Sequence, residues 1–392
     1  MQRDSFLSDN CPPMGIYETL YAFRDSFGKF MGSEGTHPWS QGFPLTTQLA
    51  GGPPLPSSVD VSWEDRFYPK AWGHPLLREA IANYYNSFYG SRITPENVMV
   101  FAGGRPGIYA VLQFLKKHVE VRIGNVEWPA YLDIMTQTNA SWRVVPFTEA
   151  NGFRPSNAEY FDRTGLNAKT HLMPIISNPG NPTGHTRAGA ELEELIAMAE
   201  QPKSGILLDE AYEMFHPSKG VSGIRYVKDL DNSNVFLAGA CTKGLQCPGI
   251  RIGWIIASKK NIETLSNFSS FGMGGVSHPS QLYAVKLLEP ERVAMAREAV
   301  DKHYSMQRAL RRSLREAGAR RLHGRWRLLS LAAAAGRHGS RRVESPAFQA
   351  RCRHPPRRRL RHGPPSHQRP GLRVSIPGLV PILLWPLVAR NV

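Results

Sequence analysis

The chain has 392 residues, with 48 Lys+Arg against 32 Asp+Glu and a formal charge of +16. Its hydrophobic fraction of 41% is enough for a real core and excludes a chain disordered throughout. No apolar run reaches the ~20 residues of a membrane helix, the start MQRDSFLSDN has no secretory pattern, and four cysteines (Cys11, Cys241, Cys247, Cys352) are too few and scattered for a disulfide framework or a zinc site.

Residues 1–45 mix aromatics with Cys11-Pro12-Pro13 and read as an N-terminal arm that packs on something else. LAGGPPLP at 49–56 is a Gly/Pro turn. After Gly73, apolar residues at Leu77, Ile81, Tyr84, Tyr85 and Phe88 fall at helical spacing, and Gly90 ends the run. ENVMVFAGG (96–104) is a short strand running into glycines, and GIYAVLQFLKK (107–117) is a helix. VRIGNVEW (121–128) and WRVVPF (142–147) are strands. HLMPIISNPGNPTG (171–184) is a strand entering a loop, and AELEELIAMAEQ (190–201) is an amphipathic helix. SGILLDEAY (204–212), NVFLAGACTK (234–243) and RIGWIIAS (251–258) are further strands, and a long helix runs from about Pro290 to Arg315. Strands alternating with helices predict an α/β fold, a mostly parallel sheet covered on both faces. There is no internal repeat.

The charge is uneven. Residues 320–392 hold sixteen Arg, no Lys and one acid, Glu344, a net of +15 that leaves +1 for residues 1–319. Nucleic acid is therefore expected as a partner only through this tail, and no membrane partner is expected. A soluble, cytoplasmic protein follows as the expectation.

Three strand ends carry chemistry-bearing residues. The loop 177–184 is SNPGNPTG, LLDEAY carries Asp209 and Tyr212, and CTKGLQCPGIRIGW carries Lys243 and Arg251 eight apart. Strand ends of an α/β sheet are where ligands bind, so one crevice receives an Asn, an Asp–Tyr pair and a Lys–Arg pair.

This combination resembles the class I/II aminotransferases, the fold-type-I pyridoxal 5'-phosphate (PLP) enzymes, over roughly residues 45–300. The resemblance implies a PLP-binding large domain over 46–290, the start of a small domain over 291–319, and an atypical tail from 320. It implies a Schiff base between Lys243 and PLP, with Lys243 also moving the substrate proton. Asp209 would pair with the pyridine nitrogen, and Tyr212 and Asn181 with the ring oxygen. Arg251 and the amides near Gly103, Gly104 and Arg105 would take the phosphate. Tyr131 would stack on the ring, and Tyr68 would reach the phosphate of a neighbouring subunit, which implies a homodimer. Gly51 and Asn181 would contact the substrate, an α-amino acid or a 2-oxo acid, and no metal is implied. Two departures stand out. Ala240 replaces the usual hydroxyl or Gly three residues before the lysine, and Gln246 and Cys247 fall where small or aliphatic residues are common.

Family members end in a small domain whose arginine clamps the substrate carboxylate. Arg373, in Arg373-Val374-Ser375, is a candidate set in surroundings without a small-domain pattern. The tail fits better as a segment read out of frame. Codons allowed for RWRLLSL (325–331), read one base later, give Gly-Gly-Gly-Phe-Tyr-His-Trp, and those for VPILLWP (380–386) give Phe-Arg-Phe-Ser-Phe-Gly. The coding DNA near residues 318–325 decides between this and a genuine basic tail. The ring chemistry is shared across the fold, so a PLP lyase such as a C–S lyase stays open beside transamination. So does an impaired product with a nucleic-acid-binding tail.

Overall fold

The computed structural model describes residues 16–31, 33–36, 46, 48–217, 220–316, 320–321 and 332–333. Arg373, Cys11, Cys352 and almost all of the basic tail lie outside the described residues. The first described element is helix α1 (Ile16–Phe27), within the segment expected as an arm.

Helix α2 (Pro75–Tyr89) forms where the apolar spacing predicts it. His74 caps it through Nδ1, which accepts from the Leu76 N–H at 3.3 Å, and Pro75 sits in its first turn. Gly90 ends it at φ 70°, the left-handed geometry that glycine adopts without a Cβ penalty. Strand β1 (Val98–Phe101), helix α3 (Gly104–Gln113), strand β2 (Val119–Gly124), helix α4 (Ala130–Gln137) and strand β3 (Ser141–Val145) follow. Next come the short helix α5 (Asn157–Tyr160), β4 (His171–Ser177), α6 (Ala190–Ala199), β5 (Ile206–Asp209), β6 (Val235–Ala240) and β7 (Gly253–Ile256). Helices α7 (Lys259–Phe268), α8 (His278–Leu287) and α9 (Pro290–Glu316) complete the ordered series. Residues 320–321 pair with 332–333 in a separate two-strand ladder.

The seven strands lie in the order β1-β7-β6-β5-β4-β2-β3. Neighbours from β6 through β3 are parallel, and β7 runs antiparallel to both β1 and β6. The register aligns the functional edge: Ser177 sits opposite Asp209, and Asp209 opposite Ala238. The loops after β4, β5 and β6 therefore leave the sheet side by side.

Strands β1, β5, β6 and β7 are near-continuous apolar runs because both faces are covered, whereas β2 carries Glu120 and Arg122 and the edge strand β3 is largely exposed. Val98, Val100, Ile206, Leu208, Val235, Leu237, Trp254 and Ile256 pack toward one layer with residues of α2, α6, α8 and α9. Met99, Phe101, Leu207, Phe236, Ala238 and Ile255 pack toward the other with residues of α3, α4 and α7. The period of two along each strand sorts its side chains between the two cores.

Candidate active site

An anion cradle forms where β1 gives way to α3. Gly103 is at φ 104°, and a Cβ there would fall 2.2 Å from Nη2 of Arg251. A Cβ on Gly253 would fall 2.3 Å from the Gly104 nitrogen. The two glycines let the start of α3 lie against β7 with the Arg251 guanidinium beside it. Arg251 is itself left-handed at φ 56°, and it donates to the carbonyls of Pro248 (2.8 Å) and Ala102 (3.3 Å). The Arg105 guanidinium stands 5.0 Å over the Trp128 ring. Its pKa is lowered mainly by burial, with Arg251 adding to the shift, and Tyr17 of α1 opposes it. Two guanidiniums beside a helix N-terminus make a site for a multiply charged anion.

Asp209 ends β5, opposite Ser177 of β4 and Ala238 of β6. Its Oδ2 accepts from the Tyr131 hydroxyl at 2.6 Å and its Oδ1 from the Ala211 N–H at 3.0 Å. Burial raises its pKa, while Tyr131, Ala211 and Lys243 oppose the rise. The Lys243 Nζ lies 5.2 Å from the centroid of the buried Tyr212 ring. Desolvation brings the Lys243 ammonium down to about 8, with Asp209 opposing and Arg105 reinforcing the shift. Asn181, in the loop after β4, is fixed by its N–H, which donates to the Ser177 hydroxyl at 2.7 Å. The peptide bonds preceding Pro179 and Pro182 in this loop are cis.

Tyr131 is fully buried, and its hydroxyl donates to Asp209, the residue expected to meet the ring nitrogen. Tyr131 lies in the first turn of α4 and points into the core, whereas Trp128, three residues earlier, precedes the helix and is only half-buried. Trp128 lies under the Arg105 guanidinium.

The other candidates are distributed as follows. Gly51 occupies a turn at φ 78°, beside a Gly52 N–H that donates to Leu49 at 2.8 Å. Tyr68 is 95% exposed, on a surface segment that also exposes Trp63 and Phe67. Gln246, one of the two departures, is held left-handed at φ 56° by a turn in which its N–H donates to the Lys243 carbonyl at 3.1 Å. Cys247 is buried, and its N–H donates to the Cys241 carbonyl at 3.0 Å.

Two acids behind the crevice escaped the sequence argument. Burial raises both Glu127 and Glu210 to about 8. One Glu127 oxygen is buried without a hydrogen-bond partner, while Glu210 accepts from the Ser222 hydroxyl (2.5 Å) and the Gly223 N–H (2.7 Å). Between about pH 4.3, where an unfolded glutamate ionises, and about 8, the folded state binds protons that the unfolded state has lost. Stability falls with rising pH across that window and levels above it. Glu210→Gln is expected to flatten the fall, and thermal midpoints at pH 5 and pH 8, measured for both proteins, check it. An equal drop in the two proteins would count against a protonated Glu210.

A family model described as aminotransferase class I and II matches residues 62–331. The aspartate aminotransferase of Pyrococcus horikoshii is 30% identical over 257 residues, which are 64% of this chain and 63% of that protein. Transaminase BacF of Bacillus subtilis is 29% identical over 198 residues, 50% of this chain and 49% of that protein. The chain thus spans about half to just under two thirds of the length of these relatives. A double mutant of Thermus thermophilus aspartate aminotransferase superposes with a TM-score of 0.67 over 84% of each chain at 20% identity, which is a likeness of fold. Among the described residues, no helix is long and apolar enough to cross a membrane. The matched span covers more than half of the chain, and on that match the chain belongs to the class I and II aminotransferase family.

Proposed function

We propose that this chain is a PLP-dependent aminotransferase that moves an amino group between an α-amino acid and a 2-oxo acid. The observation that carries this reading is the meeting of a softened lysine, a buried carboxylate and a two-arginine cradle at one sheet edge. The donor set fits the cofactor. Arg251, Arg105 and the amides at the start of α3 would hold its phosphate, Asp209 its ring nitrogen, Asn181 and Tyr212 its ring oxygen, and Trp128 would cover its face. When bound, PLP supplies an electron sink for the charge that develops at the substrate α-carbon. Lys243, with a pKa of about 8, holds a proton near neutral pH and releases it readily, as acid–base work requires. Tyr131 and the Ala211 amide orient Asp209, so its carboxylate faces the site without reorganisation. The names of the relatives support transamination over elimination.

The exposed Trp63–Phe67–Tyr68 segment supports pairing with a second copy, to whose phosphate site Tyr68 would contribute. The domain division proposed is a large domain over 46–290 and the beginning of a small one over 291–319.

The test is spectroscopic. Adding PLP to the purified chain is expected to produce a visible absorption band, and an α-amino acid given without a 2-oxo acid to bleach it stoichiometrically with release of one 2-oxo acid. A stable band with no 2-oxo product, or a 2-oxo acid released together with free ammonia while the band persists, would overturn the assignment.

A further inference from the structure

Behind the crevice, the turn that follows Asp209 is tied to α9 by a buried polar cluster. Glu213 lies four residues after Asp209 and one after Tyr212, and it is 7% exposed. The hydroxyls of Tyr84 and Tyr89, both on α2, donate to its two carboxylate oxygens. Arg297 of α9, 5% exposed, donates through Nη1 to those same hydroxyls, at 3.0 Å to Tyr84 and 2.9 Å to Tyr89. Nη1 also lies 3.6 Å from Oε2 of Glu213. The guanidinium stands 4.5 Å from the Phe88 ring centroid. One cation, one carboxylate and two phenols from three separate elements thus satisfy one another out of water.

The carboxylate's backbone is equally committed. The Glu213 N–H donates to Glu210 (3.0 Å), the Val221 N–H donates to Glu213 (3.0 Å), and the Phe215 N–H donates to Tyr212 (2.9 Å). Two turns further along α9, Tyr304 packs its ring 4.6 Å from that of Phe215. A side-chain anchor at Glu213 therefore fixes the whole turn between Asp209 and Phe215. Burial pushes the Glu213 carboxyl toward its neutral form and Arg297 opposes this. Without the guanidinium, the turn would hold an uncompensated buried charge.

We propose that Arg297 is a positioning residue: acting through Glu213, it holds the turn that carries Asp209 and Tyr212, and so couples helix α9 to the active site. The coupling to chemistry rests on the functional reading above; the tie itself does not. Among the described residues, Arg297 is the cation that these bonds place in the cluster.

Hydrogen exchange on the PLP-free chain tests the tie. In Arg297→Met, amides of 210–215 are expected to exchange about tenfold faster than in the parent, with those of 171–177 unchanged. Adding Glu213→Gln removes the stranded charge and is expected to bring exchange back toward the parent rate. After PLP is added, the pH midpoint of the visible band is expected to move by about half a unit or more in Arg297→Met and to return in the double variant. Unchanged exchange over 210–215, or equal acceleration over 171–177, overturns the proposal. A local change in exchange with an unmoved band midpoint also overturns it, because the tie would then be structural only. If the parent gives no visible band, the functional reading fails while the exchange result still reports on the tie. Should Arg297→Met fail to fold, Tyr84→Phe/Tyr89→Phe removes both donors with the charge pair kept, and the same readings apply.

Discussion

Replacing Lys243 with alanine is expected to remove the visible band formed with PLP and to lower kcat by roughly four orders of magnitude, the upper range for loss of a positioned acid–base group. The side chain occupies a place that no neighbour can fill. Its ammonium is softened to about 8 by desolvation, and Arg105 adds to that shift while Asp209 opposes it. Arg105, whose guanidinium sits over Trp128, keeps its proton throughout the working range and cannot take over the transfer. Bound PLP is expected to persist in the variant, because the phosphate cradle at Arg251 and the start of α3 is untouched. Absorbance, cofactor content after gel filtration and single-turnover product release check the three parts separately. Retention of even a few per cent of turnover would remove Lys243 from the role proposed for it.

Gly253→Ala is expected to produce the second large effect, by a purely steric route. The added Cβ would meet the Gly104 nitrogen at 2.3 Å, the Gly103 carbonyl carbon at 2.4 Å and the Gly104 Cα at 2.8 Å. These are backbone atoms of an adjoining segment, so no rotamer change relieves the overlap, and β7 must move away from the start of α3. Overpacking of this kind costs about 1–3 kcal/mol. The displacement also separates Arg251 from the amides beside it, so PLP retention is expected to fall about tenfold, which corresponds to about 1.4 kcal/mol. Gly249→Ala is the control. A Cβ there meets nothing within 4 Å, and its effect is expected to stay within about 0.5 kcal/mol. Chemical denaturation and PLP titration of both variants decide the matter. Equal behaviour would mean that the tight seat between β7 and α3 does not set the cradle.

The sheet was legible in the sequence because its strands are apolar runs ending in glycine, acid or asparagine, as in VMVFAGG and ILLDEAY. The helix around Leu77 and Ile81 was legible from its period and its Gly90 stop. The reversal of β7 was not, because an interior strand covered on both faces carries the same apolar signature in either direction. Lys243, Asp209, Asn181 and Arg251 were legible as candidates because they follow strand ends, and Asp209 does end β5. The burial of Tyr131 was not legible, because two aromatics, Trp128 and Tyr131, fall either side of the start of α4, and only the helix decides which points inward. Arg297 and Glu213 were invisible, since a lone Arg on a polar helix and an acid after a strand read as solvated residues until tertiary contact pairs them.

The reversed strand has one more implication. Because β7 re-enters the sheet at the edge where β6 leaves it, Lys243 and Arg251 ride on a single connection pinned at both ends, with the Cys241 N–H donating to the Ile252 carbonyl at 3.1 Å. The span between Lys243 and Arg251, proposed as reactive amine and phosphate anchor, is therefore a ruler of fixed residue count between two strands of one sheet. Side chains along it, such as Gln246 and Cys247, can change without altering that count, whereas an insertion or deletion of even one residue would alter it.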